Sequence, residues 1–282
     1  MAKAERLRWL HAPAAGVGAY LTPSFLRRGA VITNSRGAHA IPISEHVLGM
    51  LIGLTRRLRA AIVEQTTTRM RRENWWVGAE VPEELHGRTL GLFGYGAIGR
   101  EIARRARGFG MRINALRRNP MAAPEWDPEL LRALGLPSEE PRLDDVMGSD
   151  EFNRFLGQSD AVVVCAALTL ETQGIFDARA FARMRPGALF LNVGRGKIVR
   201  EDDLVEAVAS GHLGGAALDV FESEPLPDES RLYTLKNVIL TPHVSGLSRG
   251  FWPRAMALFR ANLTRDAQGL PLLNRVDPER GY

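Results

Sequence analysis

The chain has 282 residues, 45% hydrophobic and 24% charged, enough to bury the core of one large or two medium globular domains. Its net charge of +5 is spread over several predicted helices rather than gathered in one stripe with aromatics between, which argues against a nucleic-acid partner. The single cysteine, Cys165, excludes an internal disulfide framework and suits a reducing cytosol, and no apolar stretch approaches the ~20 residues of a membrane span.

The opening "MAKAERLRWLHAPAAGVGAYL" puts basic residues before small apolar ones, but His11, Pro13 and several glycines break the apolar part, so it does not read as a signal peptide. Thr22 and Pro23 read as the cap and first position of a short helix to Arg28, and "AVITN" (30–34) as a short strand. A long helix is expected from about Ser44 through "EHVLGMLIGLTRRLRAAIVEQ". The run "RMRREN" (69–74) reads as a solvated face or a partner contact.

From Arg88 onward, apolar runs alternate with amphipathic helical stretches. The strand candidates are "TLGLFG" (89–94), "RINAL" (112–116), "AVVVCA" (161–166), "ALFLNV" (188–193), "GAALDV" (215–220) and "VILT" (238–241). They are apolar without alternation, which marks strands covered on both faces, and the strand–helix order predicts a doubly wound parallel α/β sheet. "DPELLRALG" (127–135) and "LDDVMGSDEFNRFLG" (143–157) read as surface helices, and "REDDLVEAVASG" (200–211) as a helix with acidic residues in its first turn. A last amphipathic helix is expected over 251–263, followed by a polar tail. Residues 1–43 and 247–282 read as one small region, and 44–246 as the larger domain that carries the parallel sheet.

Gly94, Gly96 and Gly99 form a G-x-G-x-x-G turn between a predicted strand and a predicted helix. Gly94 permits the tight turn, Gly96 lets backbone approach a pyrophosphate, and Gly99 lets helix and strand pack closely, with the amides of Ala97 and Ile98 at the helix start. Where the next strand ends, a carboxylate would accept hydrogen bonds from an adenosine ribose. Arg117 and Arg118 stand there instead, with Asn119 beside them, and a guanidinium reverses the field in favour of a 2′-phosphate. NADP(H) is therefore expected as the preferred cofactor, with NAD(H) possible.

Beyond three later strands stand Arg195 in "LNVGRGKIV", Glu224 in "LDVFESEP" and His243 in "LTPHVSG". An arginine, a carboxylate and a histidine at that edge of a parallel sheet suit recognition of an anion plus a proton transfer. His11, His39, His46, His86 and His212 have no such setting and read as structural, and no metal-binding set is read from the sequence.

At these motifs the sequence resembles the D-isomer-specific 2-hydroxyacid dehydrogenases, which include glyoxylate and hydroxypyruvate reductases and phosphoglycerate dehydrogenase. The resemblance runs through "NSRGAHAIPISEHVLGMLIGLTRRL", "GYGAIG", "NVGRG", "LDVFESEP" and "PHVSG" to "LLNRVDPERGY". It implies a Rossmann domain beside a smaller, here incomplete, flavodoxin-like substrate domain, and hydride transfer between NADP(H) and a small 2-oxo acid. By resemblance Arg195, Glu224 and His243 fall on the catalytic arginine, glutamate and histidine. Asp219 falls on an aspartate holding the nicotinamide carboxamide, and Val193, Gly194, Arg195, His243 and Gly246 on positions lining the cofactor. Glu222 does not match the catalytic position. In this chemistry the arginine grips the carboxylate, the histidine donates the proton, and the glutamate orients and charges the imidazole.

The resemblance begins partway through the family's first domain. A start upstream of Met1 is the favoured reading of that short front. The others are a natural short form whose site a partner completes, and a chain that has kept dinucleotide binding as a sensor or interaction protein and lost catalysis. The stretch 60–76 is similar to the arm that pairs subunits in the family, with Trp75 and Trp76 as interface anchors, so a cytoplasmic homodimer is expected.

Overall fold

The computed structural model describes residues 7–18, 20–27, 29–67, 75, 81–121 and 126–277. Residues 1–6, the basic run 69–74, Trp76 and residues 278–282 of the tail lie outside the described residues. The chain forms two compact units, one of Met1–Ala40, Pro124–Glu140 and Leu247–Tyr282, the other of Ile41–Ala123 and Pro141–Gly246.

The larger unit is built on seven strands: β3 (Thr89–Phe93), β4 (Arg112–Leu116), β5 (Asp145–Met147), β6 (Ala161–Val164), β7 (Leu189–Asn192), β8 (Gly215–Leu218) and β9 (Val238–Leu240). All pair in parallel, in the order β5-β4-β3-β6-β7-β8-β9. The chain order reverses between β3 and β6, and in such sheets ligands bind outside the carboxyl ends of the strands at that reversal. This is the doubly wound α/β fold the alternating runs predict. Successive strand residues point to opposite faces, and both faces are dry. Val162, Val164 and Phe190 belong to one buried cluster, and Ala161, Val163, Leu189 and Leu191 to another.

The first cluster takes in α6 (Phe152–Gln158), α7 (Ala178–Arg183) and α8 (Glu201–Ala209). At its centre Phe93, Phe152, Phe176, Phe181 and Phe190 pack edge-on or tilted, with centroids 5.1–6.3 Å apart. Each fully buried ring contributes about 2–3 kcal/mol of hydrophobic stabilisation. The second cluster takes in α2 (Ala40–Thr55) and α4 (Ala97–Gly108) through Val47, Leu51, Ile102 and Ala106. At the amino ends of the strands, Asp160 accepts the Thr89 N–H at 2.8 Å and pairs with Arg185 at 2.7 Å. A cavity of about 410 Å³ lies there, at the edge away from the strand ends discussed below, and its Arg185 and Asp160 are paired with each other.

Two expectations need correction. The long helix from Ser44 is two helices. α2 begins earlier, at Ala40, because Pro42 falls in its first turn, where a missing N–H costs nothing. Arg57, in the left-handed region at φ 54°, then separates it from α3 (Leu58–Thr67). The segment 143–157 is not a surface helix: Asp145–Met147 is the edge strand β5, and α6 puts Phe155 and Leu156 into the core at zero exposure.

The smaller unit holds a two-stranded parallel sheet of β1 (Trp9–Ala12) and β2 (Val31–Asn34), with α1 (Pro23–Leu26), α5 (Pro128–Leu134) and α9 (Phe251–Ala267). Thr22 caps α1 as expected, accepting the Phe25 N–H, although that helix ends at Leu26. Asp127 caps α5, Pro128 opens it and Gly135 at φ 66° closes it. Trp9 stacks on Phe259 at 5.5 Å, and His11 bonds Thr33 at 2.8 Å, its pKa lowered by burial. The tail returns to β2, where Val276 N–H donates to Ile32 O at 2.9 Å.

Candidate active site

The glycine-rich turn follows β3 at the reversal of strand order. Gly94 has φ 99°, and a Cβ there would meet the Ala166 backbone at 2.8 Å. A Cβ on Gly99 would meet Gly94 O at 2.7 Å, so that glycine lets α4 approach the strand. Gly96 differs: a Cβ there meets nothing within 4 Å. It is the N-cap of α4, makes no side-chain capping bond, and the first turn carries no acidic residue. The helix therefore starts at an open, electropositive place, with Ala97 and Ile98 half-buried beside it. The backbone N–H groups of that uncapped first turn suit an anion such as a pyrophosphate. Arg117, just past β4, lies with its guanidinium 5.9 Å from the ring centre of Tyr95, inside the turn. Arg118 and Asn119 follow it at exposed positions.

Cys165 closes the turn from below. The residue is half-buried, its thiol donates to Gly94 O at 3.0 Å, and burial pushes its pKa up to about 12. A protonated thiol is no nucleophile.

The second group stands past β7, β8 and β9, which are neighbours in the sheet. Beyond β7, Val193 is buried and its N–H donates to Val164 O at 3.1 Å. Asn192 clamps the loop, accepting the Gly194 N–H at 3.0 Å and donating to Arg195 O at 3.0 Å. A Cβ on Gly196 would fall 1.8 Å from the Phe221 carbonyl, so the loops after β7 and β8 touch backbone to backbone. Arg195 is exposed and donates to Gly194 O at 2.7 Å.

Glu224 ends the loop after β8. One oxygen accepts the Phe221 N–H at 3.1 Å, and the other meets His243 Nδ1 at 2.7 Å. Burial works against the Glu224 charge, but the hydrogen bonds from His243 and the Phe221 amide outweigh it and hold the carboxyl below its ordinary value. Glu222 turns elsewhere, accepting the Glu201 N–H at the start of α8 at 3.1 Å.

His243 lies past β9 at φ 54°, a left-handed conformation that costs a non-glycine residue about 1 kcal/mol. What holds it there is Asp219, at zero exposure just past β8. Its Oδ1 accepts Thr241 Oγ1–H at 2.5 Å and Val244 N–H at 2.9 Å, and its Oδ2 accepts Ser245 N–H at 3.0 Å. One buried carboxylate thus binds the residues on both sides of His243. Gly246 follows Ser245. A cavity of about 420 Å³ opens beside the Glu224–His243 pair, walled by Phe221, Leu226, Tyr233 and Leu240.

The geometry joins Glu224 to His243 directly and sets Arg195 on the adjoining loop. Residues 48–245 match the family model described as the NAD-binding domain of D-isomer-specific 2-hydroxyacid dehydrogenases. The chain belongs to that family. This dehydrogenase-family chain is 32% identical over 251 residues to the D-3-phosphoglycerate dehydrogenase of Bacillus subtilis, covering 89% of itself and 43% of that protein. It is 34% identical to the glyoxylate reductase of Thermococcus gammatolerans, covering 88% of itself and 69% of that protein. A D-isomer-specific 2-hydroxyacid dehydrogenase of Xanthobacter autotrophicus, solved with NADPH and MES, superposes with a TM-score of 0.78 at 30% identity, covering 98% of this chain and 79% of that one. The chain thus spans under half the length of the first of these relatives.

Within this family member, sequence reasoning missed the clamp roles of Asn192 and Asp219. The signal was there: each is a polar residue at the end of a buried apolar strand, where it needs several partners to be tolerated.

Proposed function

We propose that this chain is an oxidoreductase that transfers a hydride between NADP(H) and a small 2-oxo or D-2-hydroxy acid of the glyoxylate or hydroxypyruvate type. The observation that carries the reading is the 2.7 Å contact between His243 Nδ1 and Glu224 at the carboxyl edge of the sheet, with Arg195 on the adjoining loop. The unit of Ile41–Ala123 and Pro141–Gly246 serves as the dinucleotide-binding domain, and the unit of Met1–Ala40, Pro124–Glu140 and Leu247–Tyr282 as part of a substrate domain, so the 44–246 span expected from the sequence gives up residues 124–140. The cofactor supplies the hydride when bound. The Gly94–Gly99 turn and the open start of α4, with Ala97 and Ile98, hold its pyrophosphate, and Val193, Gly194 and Gly246 line its path. Arg117, with Arg118 beside it, stands just past β4 where the adenosine ribose would lie, and its guanidinium would favour a 2′-phosphate over two free hydroxyls.

Arg195 binds the substrate carboxylate and polarises the neighbouring carbonyl. Glu224 takes His243 Nδ1–H, which leaves Nε2 to give its proton to the carbonyl oxygen as C2 accepts the hydride. In the reverse direction Nε2 takes the hydroxyl proton. Asp219 has accepting capacity left on Oδ2 for a carboxamide N–H beyond the Ser245 amide. A cytoplasmic homodimer accords with the lone, protonated thiol and with the exposed Leu58, Ile62 and Val63 of α3. Among the described residues no helix is long and apolar enough to cross a membrane.

The test is absorbance at 340 nm while purified protein meets NADPH and glyoxylate or hydroxypyruvate. Oxidation of NADPH, faster than with NADH, supports the reading. Tight dinucleotide binding with no turnover of any 2-oxo acid overturns it in favour of a sensor on the same scaffold.

A further inference from the structure

His46 stands on α2, far from the catalytic group in sequence, and nothing in the proposed chemistry uses it. Its Nε2 lies 3.0 Å from Thr241 Oγ1 and 3.9 Å from Asp219 Oδ1. Both oxygens of Asp219 already accept backbone N–H groups, so the 2.5 Å contact from Thr241 is the hydroxyl donating to Oδ1. A hydroxyl has one hydrogen. Thr241 has spent it on Asp219, and therefore it accepts from His46. The hydrogen-bond directions are set along the whole line and converge on Asp219: His46 Nε2–H donates to Thr241, Thr241 O–H donates to Asp219, and the Val244 and Ser245 amides donate to the same carboxylate. Those amides flank His243, whose backbone is held in the left-handed region.

We propose that His46 is a positioning residue for His243, acting through the Thr241 hydroxyl and the Asp219 carboxylate. It touches neither substrate nor cofactor. By donating to Thr241, it keeps that hydroxyl's hydrogen aimed at Asp219, and Asp219 then holds the turn that presents the imidazole to Glu224. Without the donor, the Thr241 oxygen is left with an unmet acceptor site, its O–H is less polarised, and the shortest of the three bonds to Asp219 weakens.

The proposal rests on the function proposed above for its kinetic readout, and a second readout separates the two. In the full-length protein, His46→Leu removes the donor at similar volume, and His46→Gln restores an N–H that reaches Thr241. The expected result with glyoxylate and NADPH is that His46→Leu lowers kcat about tenfold with both KM values within about twofold, and that His46→Gln recovers most of the loss. Thr241→Val should cost as much as His46→Leu, and the double variant no more than either alone. Nitrogen NMR of the ring reads the same effect without turnover: His46→Leu should shift the His243 Nδ1 signal away from that of the Glu224-bonded form, and His46→Gln should bring it back. An unchanged His243 signal in a folded His46→Leu protein overturns the proposal whether or not any 2-oxo acid is reduced. So does a loss that His46→Gln fails to rescue, or additive losses in the double variant. If the wild type reduces no 2-oxo acid, the function falls, and the ring signal alone decides the role of His46.

Discussion

Asp219→Asn is nearly isosteric, and the structure shows where it must fail. The carboxylate meets three donors and no acceptor, at zero exposure. An amide keeps one oxygen and replaces the other by an N–H₂ group. With the oxygen at the Oδ1 place, the new N–H₂ faces the Ser245 N–H, donor against donor. That leaves a buried amide unsatisfied, at about 1–3 kcal/mol. The bonds from Thr241 and Val244 survive but fall from charge-assisted to neutral strength, a further loss of about 1 kcal/mol together. The opposite orientation sacrifices two bonds and costs more. The expected destabilisation is therefore about 2–4 kcal/mol, or roughly 4–16 °C in Tm at 2–4 °C per kcal/mol for a unit of this size. Urea unfolding followed by far-ultraviolet circular dichroism measures it, with kcat read on the same preparation. A variant within 0.5 kcal/mol of wild type, as a rough limit of the method, would show that these three bonds do not hold the His243 turn.

Replacing Arg117 by Ser should raise KM for NADPH about tenfold to a hundredfold while leaving KM for NADH nearly unchanged, in a direct kinetic comparison of the two. Equal effects on both would move the 2′-phosphate contact elsewhere. Gly196→Ala puts a methyl where the Phe221 carbonyl lies, and no rotamer relieves it, so a loss of more than about 3 kcal/mol or failure to fold is expected in the same urea assay. Asp160 carries the pH prediction. Burial opposes its charge, but the Thr89 N–H, Arg185 and Arg88 outweigh that and hold its carboxyl below the unfolded value. A depressed carboxyl adds stability that is complete above the unfolded pKa, about 3.9, and is lost as pH falls through the folded one. Asp160→Asn should thus cost about 1–3 kcal/mol at pH 7, and the gap from wild type should close in acid. A gap constant with pH would refute the assignment.

The seven-stranded sheet was largely legible because six of its strands are apolar on both faces, a pattern that survives without knowledge of partners. β5 was not: it has three residues, one edge, and a sequence, Asp-Val-Met, too short to show any period. β1 was hidden in a stretch whose basic and small residues read as irregular. The break at Arg57 left no mark, because arginine is a good helix former and its left-handed backbone is a tertiary outcome. In the site, the strand ends pointed to Arg195, Glu224 and His243, and the absence of an acidic residue after β4 was plain in the sequence. The bonds of Asp219 were not, since they cross to residues more than twenty positions away, and His46 meets Thr241 across 195 positions. Side-chain contacts of that range depend on the finished fold.

The meeting of Gly196 with the Phe221 carbonyl behaves as a yoke between two loops. Main chain resting on main chain has no side arm to shorten or bend, so neither loop can drift without dragging its neighbour. Arg195 on one loop and Glu224 on the other are therefore kept in step by a joint that contains no functional group of its own. Change in this corner of the molecule is confined to exposed positions on either side, such as Lys197 and Ser223, where a new side chain alters the surroundings and leaves the spacing alone.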